Sequence, residues 1–570
     1  MPKPRAGPAM VPNRRKRVKP TSLTQTTCSA RKMGAAPRPG EAVLKRGVMN
    51  RMKRLIAIGT AALALSTPAA AHAASCGELA KLALPHVAVD STTLVAAGAF
   101  TPPPAPGAPP AAQAAAAAAS LYRALPAFCR VALTSKPSAD SDIKIEVWLP
   151  QAGWNGKFQG VGNGGWAGVI SYSALAEAVA AGYAAASTDT GHVGNTAKFA
   201  MESREKMVDM GYRAVHEMTV QAKAVTNAFY TKSPTLSFFN GCSQGGRQAL
   251  TEAMRYPADY NGIISGAPAI YYMQILVART AMNASANRSP AAVIGPEKYP
   301  AIHEAVLSAC DALDGVKDGV LENPLQCRFD PKVLECKGAD GPSCLTPPQV
   351  DTMRQLYAPQ TVGKAGTLPP LLQPGTELGL GTIAGPRVLG TSLEAMKYIV
   401  FKDPAWDVNR FNPATDFDRA MLADSDKLLS LTDPNLKPFF DRGGKLIIWH
   451  GWQDQQVPAQ SAVTYFNDVV KTVGQKAAGN SIQLYMMPGV NHCRGGAGPD
   501  TFDKMAAIES FVAAGKAPAQ IVASRITAGK VDRTRPLCPF GQVAKWKGTG
   551  STDDAANFAC AADTVERGSR

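Results

Sequence analysis

Strand-like and helix-like segments alternate along the chain from residue 143, and this alternation constrains the fold more than any other feature. The run IKIEVWLP (143–150) alternates apolar and polar residues, as a half-buried strand does. The amphipathic helical pattern YRAVHEMTVQAKAVTNAFY (212–230) precedes another strand-like run, TLSFFN (235–240). Strands connected through helices predict a parallel sheet that is covered on both faces.

The alternation stops near residue 270 and resumes at GGKLIIWHGWQDQQVP (443–458). The intervening block is rich in proline, has irregular periodicity and contains four of the eleven cysteines. A chain of 570 residues is also longer than one simple core requires. We interpret residues 270–435 as a lid domain inserted between two parts of one α/β domain, residues 74–269 and 436–570.

The first 73 residues differ in composition from the remainder. They hold 15 of the 60 Lys and Arg residues but one acidic residue, Glu41, so most of the net charge of +16 lies there. A nearly neutral remainder argues against nucleic-acid binding. Met49–Ala73 has a basic start, an apolar run too short to span a bilayer, and a small-residue end, which is typical of a signal peptide. We expect residues 1–73 to be removed, the mature protein to be secreted or periplasmic, and no membrane partner.

Cysteine usage agrees with export. Removal of the leader deletes Cys28 and leaves ten cysteines, an even number, as a disulfide framework requires. Short spacing favours three local pairs: Cys310–Cys327, Cys336–Cys344 and Cys538–Cys560. Sequence alone does not fix the pairing of the other four, which are Cys76, Cys129, Cys242 and Cys493.

The motif Gly241-Cys242-Ser243-Gln244-Gly245 fits G-x-S-x-G, with a strand-like run before it and a helical pattern after it. In an α/β-hydrolase fold, this sharp turn presents a serine hydroxyl above the sheet edge, and small flanking residues allow close packing. The motif alone is a weak signal, and its context makes it specific. We therefore predict an α/β-hydrolase fold with a large cysteine-rich lid insertion, and Ser243 as the nucleophile rather than part of an ordinary glycine turn.

A serine nucleophile needs a histidine base and a carboxylate that orients it, and in this fold the order is Ser, acid, His. Of the histidines, only His450 and His492 follow the proposed lid. His492 lies in a loop after a strand-like run, and Asp454 lies in the preceding strand-end loop. We predict Asp454 and His492 as the acid and the base. The alternative is that His450 is the base and His492 a structural surface residue.

The two cysteines beside these residues fit the same assignment. Cys242 precedes Ser243 and Cys493 follows His492, so a contact between the serine and the histidine would bring their neighbours close enough to form a disulfide. Such a link would close a very long loop and contribute about 4–5 kcal/mol in chain-entropy models. The opposite interpretation, Cys242 as a thiolate nucleophile, would leave Cys493 unexplained.

Together these motifs resemble the tannase and feruloyl esterase family, which also includes the hydrolase of mono(2-hydroxyethyl) terephthalate. The resemblance covers essentially all of residues 74–570: WNGKFQGVGNGGWAG, DTGH, NGCSQGGRQAL, the cysteine-rich lid, GWQDQQVP and NHC. It implies two further disulfides, Cys76–Cys129 and Cys242–Cys493.

Acyl transfer also needs donors for the oxyanion. By analogy with the fold, one donor is the backbone N–H of Gln244, directly after the nucleophile. The other is expected from the glycine loop GNGGWAG, at Gly164 or Gly165, where the backbone can approach a substrate closely. The alternative for this loop is a plain tight turn.

The lid contains an acidic loop, CDALDGVKDGVLENPLQC, between Cys310 and Cys327. Its spacing is not that of an EF-hand but resembles the calcium site of this family's lid. The resemblance implies a structural Ca²⁺ bound by three carboxylates and two backbone carbonyls: Asp311, Asp314, Asp318, Val316 and Val320. The alternative is a solvated acidic turn.

The sequence thus predicts a secreted serine carboxylic ester hydrolase that acts on small-molecule esters of aromatic acids of the feruloyl or galloyl type. An alternative substrate is mono(2-hydroxyethyl) terephthalate. An alternative of another class is a non-catalytic, calcium-stabilised binding protein on the same scaffold. An acyltransferase or a peptidase with the same three residues is a further alternative.

Overall fold

The computed structural model describes residues 74–103, 120–166 and 168–563. The predicted leader, residues 1–73, lies outside the described residues. In chain order the strands are β1 (Val87–Val95), β2 (Phe128–Ser135), β3 (Ile143–Pro150), β4 (Lys157–Val161), β5 (Ala184–Thr188), β6 (Leu236–Cys242), β7 (Gly262–Gly266), β8 (Gln360–Thr361), β9 (Thr367–Leu368), β10 (Lys445–Gly451), β11 (Ile482–Met487), β12 (Ile521–Thr527), β13 (Lys530–Leu537), β14 (Gln542–Trp546) and β15 (Phe558–Ala562).

Short 3₁₀ and π-helical turns accompany a larger set of α-helices. The α-helices are α1 (Tyr172–Ala180), α2 (Arg204–Val208), α3 (Ala214–Tyr230), α4 (Gln244–Arg255), α5 (Tyr272–Ala286), α6 (Tyr299–Cys310), α7 (Pro347–Tyr357), α8 (Gly381–Ala384), α9 (Gly390–Glu394), α10 (Pro413–Ala423), α11 (Lys437–Asp441), α12 (Ala459–Val473), α13 (Gln475–Gly479) and α14 (Lys504–Ala514).

The central sheet has nine strands in the spatial order β1-β2-β3-β5-β4-β6-β7-β10-β11. From β5 to β11 all neighbours are parallel, as the alternation predicts. The first three strands are antiparallel, and β3 is antiparallel to β5 as well. The expectation of a parallel sheet is therefore wrong for the IKIEVWLP strand, β3. Residues 136–142, which connect β2 to β3, are too few for the helical crossover that a parallel pair needs.

Apolar residues on alternate positions of the strands fill a core on each face of this sheet. On β7, Ile263 belongs to one core and its neighbour Ile264 to the other. On β10, Ile448 and Ile447 divide in the same way. Successive strand side chains point to opposite faces, so both faces must be covered.

The chain between β7 and β10 forms a lid, and its core also takes in side chains that precede β7, such as Trp166 and Phe199. Its helices and turns pack around buried side chains that include Met273, Met353 and Trp406. Strands β8 and β9 pair with each other in a short hairpin. These features agree with an α/β-hydrolase fold that carries a large lid, while the boundaries at residues 270 and 435 stay predictions.

The structure contains five disulfides in its described residues. Two lie in the lid, one joins the end of β13 to β15, one ties the first turn to β2, and one links two loops of the central sheet. They are Cys310–Cys327, Cys336–Cys344, Cys538–Cys560, Cys76–Cys129 and Cys242–Cys493. These are the pairs that spacing and family resemblance predict. Among the residues described, no helix is both long and apolar enough to cross a bilayer.

Asp189, directly after β5, is a buried carboxylate within the sheet domain. It accepts hydrogen bonds from the backbone N–H groups of Lys144 (2.9 Å) and Gly191 (2.8 Å). Burial outweighs these bonds and raises the pKa of Asp189 from 3.8 to about 7. At a pH between 3.8 and about 7, Asp189 keeps its proton in the folded state but has released it in the unfolded chain. Increasing pH therefore favours unfolding, and the full loss of stability is present above the folded pKa.

We expect Asp189→Asn to remove this contribution, because an amide oxygen accepts the same two bonds without ionising. The free energy of unfolding of the variant minus that of the wild type should be near zero at about pH 4 and increase with pH. It should level off above the folded pKa at a few kcal/mol, since one pKa unit corresponds to about 1.4 kcal/mol. Chemical denaturation over a pH series measures this difference, and a value independent of pH would contradict the prediction.

Candidate active site

Ser243 occupies a sharp turn between β6 and α4. Its backbone has φ 64° and ψ −119°, which is unusual for a residue other than glycine. The turn is held by a hydrogen bond from the backbone N–H of Ser243 to the carbonyl oxygen of Gly266 at 2.9 Å. The serine therefore lies at the carboxyl edge of the parallel strands, with the first turn of a helix behind it.

The glycines of the motif are required by close backbone approach. A Cβ atom on Gly241 would lie 2.5 Å from the carbonyl oxygen of Gly245. One on Gly245 would lie 2.9 Å from the carbonyl oxygen of Asn163, in the glycine loop. Larger residues at either position would push the nucleophile turn away from that loop.

His492 lies between Ser243 and Asp454. Its Nε2 is 2.8 Å from the Ser243 Oγ, and its Nδ1 is 2.7 Å from Asp454 Oδ2. Asp454 follows β10 and His492 follows β11, so the ends of neighbouring parallel strands supply both side chains. Asp454 fixes the tautomer with Nδ1–H donating, which leaves Nε2 to accept the serine proton.

Asp454 is held as a buried carboxylate by four hydrogen bonds. Its Oδ1 accepts the backbone N–H groups of Gln456 (2.7 Å) and Val457 (2.8 Å), and its Oδ2 lies near two histidines. Burial alone would raise the pKa of Asp454, but the charge of His492 and the hydrogen bonds from His450 and His492 outweigh burial and lower it. The carboxylate is therefore ionised and can stabilise an imidazolium.

His450 is the second histidine on this carboxylate. It is fully buried, and its Nε2 is 2.9 Å from Asp454 Oδ2 and 3.2 Å from the carbonyl oxygen of Val457. The alternative in which His450 is the base does not agree with this geometry, since His492 is the histidine that contacts Ser243. Sequence analysis missed His450 as a partner of the acid, although its position four residues before Asp454 was a usable signal.

An arginine from the lid supports the loop of the acid. Arg279 of α5 is buried, and its Nη1 donates to the carbonyl oxygen of Gln456 at 2.7 Å. Burial lowers the pKa of Arg279 to about 10, while the charge of Asp454 acts in the opposite direction. The guanidinium thus remains a cation near the acid and links the lid to the site.

The disulfide Cys242–Cys493 connects the loops of the serine and the histidine. The two Cα atoms are 6.1 Å apart, across 251 residues of sequence. Because the sulfur of Cys242 is bonded to that of Cys493, it is not a free thiolate. The structure therefore disagrees with Cys242 as the nucleophile.

The predicted oxyanion donors lie at the start of α4 and on the glycine loop, which approaches the turn of Ser243 where Asn163 meets Gly245. Gln244 is the first residue of α4. Gly164 is exposed, and a Cβ atom built on it would have no other atom within 4 Å. In the described part of the chain, the backbone N–H groups of Gln244, Gly164 and Gly165 donate to no protein acceptor. These groups are therefore available to a substrate oxygen.

Two contacts fix the glycine loop against the nucleophile helix. The backbone N–H of Asn163 donates to Gln248 Oε1 at 3.0 Å, and Gln248 Nε2 donates to Asn163 Oδ1 at 3.0 Å. On the other side of the loop, the His192 ring nitrogen Nε2 contacts the carbonyl oxygen of Trp166. Burial lowers the pKa of His192 to about 4, so this imidazole is neutral and supports the loop rather than carrying charge.

The predicted calcium residues lie in one loop of the lid, between the disulfide-bonded Cys310 and Cys327. Asp314 Oδ1 accepts the backbone N–H of Val316 at 2.8 Å, and Asp318 Oδ1 accepts that of Val320 at 3.2 Å. The Oδ1 atom of Asp311 is buried and receives no hydrogen bond from the described residues. Asp318 also contacts the guanidinium group of Arg535.

The electrostatics of this loop suit a cation. Burial, followed by the charge of Asp318, raises the pKa of Asp314 to about 6. A hard cation prefers carboxylate and carbonyl oxygens as ligands. Such an ion would bind the unpaired Oδ1 of Asp311 and stabilise the ionised form of Asp314. Asp311 and Asp314 therefore fit calcium in their chemistry, whereas Asp318 already pairs with Arg535 and Arg533.

Comparison with known proteins agrees with this geometry. The family model described as tannase and feruloyl esterase matches residues 129–368 and 386–561. An uncharacterised esterase of Xanthomonas campestris pv. campestris is 36% identical over 569 residues, covering 90% of this chain and 95% of that protein. A probable feruloyl esterase B-2 of Aspergillus flavus is 34% identical and covers 66% of this chain and 72% of that protein.

A solved structure supports the same conclusion. The crystal structure of feruloyl esterase B from Aspergillus oryzae has a TM-score of 0.77 and 27% identity, and covers 85% of this chain and 99% of that chain. The resemblance and the fold class predicted from the sequence are thus confirmed. This chain belongs to the tannase and feruloyl esterase family and is a carboxylic ester hydrolase.

Proposed function

We propose that this protein is a secreted or periplasmic serine hydrolase of esters of aromatic acids. The observation that carries the proposal is the chain of contacts from Ser243 Oγ through His492 to Asp454, with the disulfide Cys242–Cys493 beside it. These three side chains occupy the positions that acyl transfer requires, at the carboxyl edge of the sheet.

In the proposed mechanism, the Ser243 Oγ attacks the ester carbonyl carbon while His492 Nε2 takes the hydroxyl proton. His492 then gives this proton to the oxygen of the leaving alcohol, and an acyl-enzyme remains. A water molecule attacks the acyl carbon with the same histidine as base, and the acid is released as Ser243 recovers its proton. Asp454 stabilises the imidazolium in both halves of the reaction.

The negative oxygen that forms in each half accepts hydrogen bonds from the backbone N–H of Gln244 and from Gly164 or Gly165. These groups are fixed before the substrate binds, because Gln244 is in the first turn of α4 and the glycine loop is held by Gln248. Donors that need no rearrangement stabilise the developing charge most effectively.

An aromatic acyl group is supported by similarity to proteins named feruloyl esterases. Export is supported by the signal-like leader in the sequence and by five disulfides, which persist in oxidising compartments. Both statements go beyond ester hydrolysis itself and belong to this proposal.

We further propose a structural Ca²⁺ in the lid. The carboxylates of Asp311, Asp314 and Asp318 would hold it together with two backbone carbonyls, those of Val316 and Val320. The ion would neutralise the acidic loop between Cys310 and Cys327, and no step of ester hydrolysis passes through it.

Replacing the proposed nucleophile tests the mechanism. Ser243→Ala should lower kcat on an aryl ester by a factor of about 10⁴ or more, because it removes the hydroxyl that contacts His492 Nε2. The wild type should release a rapid burst of phenol, and the variant should release none. Stopped-flow absorbance measures the burst, and Tm should stay nearly unchanged.

A surface serine is the matched control. Ser233 is exposed and contacts Asn227, so Ser233→Ala should keep full activity. Methyl ferulate, methyl gallate and mono(2-hydroxyethyl) terephthalate, compared by kcat/KM with an acetate ester, test the aromatic class. A preference for acetate over all three would reject that class and leave the mechanism intact. Competing alcohols and peptides in the same assay would reveal acyl transfer or peptide cleavage.

We expect His450 to position Asp454. His450→Leu removes a hydrogen bond to a charged group, which is worth about 1.5–3 kcal/mol. It should therefore lower kcat by about 10–100-fold and leave KM nearly unchanged. His450→Gln, which retains an N–H donor, should recover part of the loss. If His450→Leu were as inactive as Ser243→Ala while His492→Ala stayed active, the roles of the two histidines would have to be exchanged.

Calcium should stabilise the lid without changing the chemistry. Adding Ca²⁺ to chelator-treated, dialysed protein should raise Tm, since a ligand at 100 times its Kd stabilises the folded state by about 2.7 kcal/mol. Asp311→Asn should lose this response. Asp330→Asn, which changes a lid carboxylate that pairs with Arg354, should keep it. A Tm that does not respond to chelation or to Ca²⁺ would remove the site.

A further inference from the structure

Three potential metal ligands converge behind the nucleophile helix, outside the proposed active site. His216 lies on α3, Glu252 on α4, and Asp259 in the turn between α4 and β7. One ligand atom from each residue lies within 4.8 Å of the other two. Glu252 is nine residues after Ser243, about 13 Å along the helix, so the cluster is separate from the triad.

The carboxylate of Glu252 is buried without a donor. The residue is 0% exposed, and neither of its side-chain oxygens receives a hydrogen bond from the described residues. Buried polar groups are nearly always satisfied, so this carboxyl group calls for a partner.

The neighbouring donors are engaged elsewhere. Lys223 Nζ contacts the backbone carbonyl oxygen of Asp259, and it lies 5.4 Å from the ring centroid of Tyr260. The hydroxyl of Tyr260 is bonded to Thr219 Oγ1. A carboxylate oxygen of Asp259 lies within 4.8 Å of one of Glu252, and Asp259 is an acceptor when it is ionised.

His216 completes the cluster from the solvent side. Its Nδ1 is 2.7 Å from Asp259 Oδ2, and its ring stacks on Tyr256 with centroids 3.8 Å apart. The stacking fixes the plane of the imidazole. The side chain is 29% exposed, so the cluster has a path to solvent.

We propose that His216, Glu252 and Asp259 bind one divalent transition-metal ion of the Zn²⁺ type. Two carboxylates and one imidazole are ligands that Zn²⁺ takes at about 2.0–2.2 Å, which places the atoms around one ion about 3.5 Å apart. The three side chains reach this spacing by small adjustments. Two negative carboxylates and a neutral imidazole balance the dication, and the neighbouring Lys223 ammonium adds one positive charge beside them.

The ligand set favours Zn²⁺ over the calcium proposed for the lid. Ca²⁺ takes six to eight oxygens, whereas this cluster offers three side chains, one of them a nitrogen donor. Three protein ligands leave one position for water on the side of His216. Because the ion would join α3 to the helix that begins after Ser243, it should stabilise the sheet domain and leave kcat unchanged.

The test uses untagged full-length mature protein, stripped with a chelator and dialysed, with excess Ca²⁺ to saturate the lid. Calorimetric titration with Zn²⁺ should show one site per chain. Co²⁺ in its place should give the visible d–d absorption of a low-coordinate site. Glu252→Gln and His216→Asn should each weaken Zn²⁺ binding by more than about 100-fold, since even partners beyond the direct ligands change metal affinity by about 10–100-fold.

One further variant and the folding of Glu252→Gln without metal make the result decisive. His86→Asn removes another histidine–carboxylate pair, with Glu217, and should bind Zn²⁺ as the wild type does. Glu252→Gln should fold without metal, because it replaces an unpaired carboxyl group with a neutral amide. If the wild type binds no Zn²⁺, or if both ligand variants bind it with unchanged affinity, the proposal is overturned. A proton shared between Glu252 and Asp259 would then account for the cluster.

Discussion

The disulfide between Cys242 and Cys493 is the constraint on which the site depends. It joins the turn of Ser243 to the loop of His492, and these two loops are supplied by strands β6 and β11, which β7 and β10 separate in the sheet. Without the link, the 2.8 Å contact between the serine and the histidine would rest on loop packing and on the hydrogen bonds of His492 to Asp454 and Gln455. The disulfide already holds the two loops close together. Less conformational entropy is therefore lost when the serine and the histidine come into contact.

The buried charge of Asp454 is stabilised by hydrogen bonds and by a nearby cation. Asp454 is an ionised carboxylate in a dry environment, and it persists there because backbone N–H groups and two histidines direct hydrogen bonds toward it. Arg279 adds a buried cation through the neighbouring backbone. The lid thus contributes to the electrostatics of the acid as well as covering the sheet.

Much of this could be predicted from the sequence, since local chemistry determines it. The G-x-S-x-G turn, the order of Ser243, Asp454 and His492, and the five disulfides follow from motifs, spacing and family resemblance. The antiparallel strands at the sheet edge did not follow, because periodicity reports burial and not strand direction. The pairing of Asn163 with Gln248 could not be predicted from the sequence either. It depends on two side chains 85 residues apart in sequence that meet only after the sheet has assembled.

The lid lies entirely within the chain segment that the 242–493 link closes, and both of its ends leave from strands of the sheet. Apart from contacts such as that of Arg279 with the carbonyl oxygen of Gln456, its length and sequence can therefore change without moving the loops of Ser243, Asp454 and His492. The fold therefore separates the contacts among these three side chains from an inserted segment that is continuous in sequence. Chimeras that exchange this segment between relatives have a structural rationale.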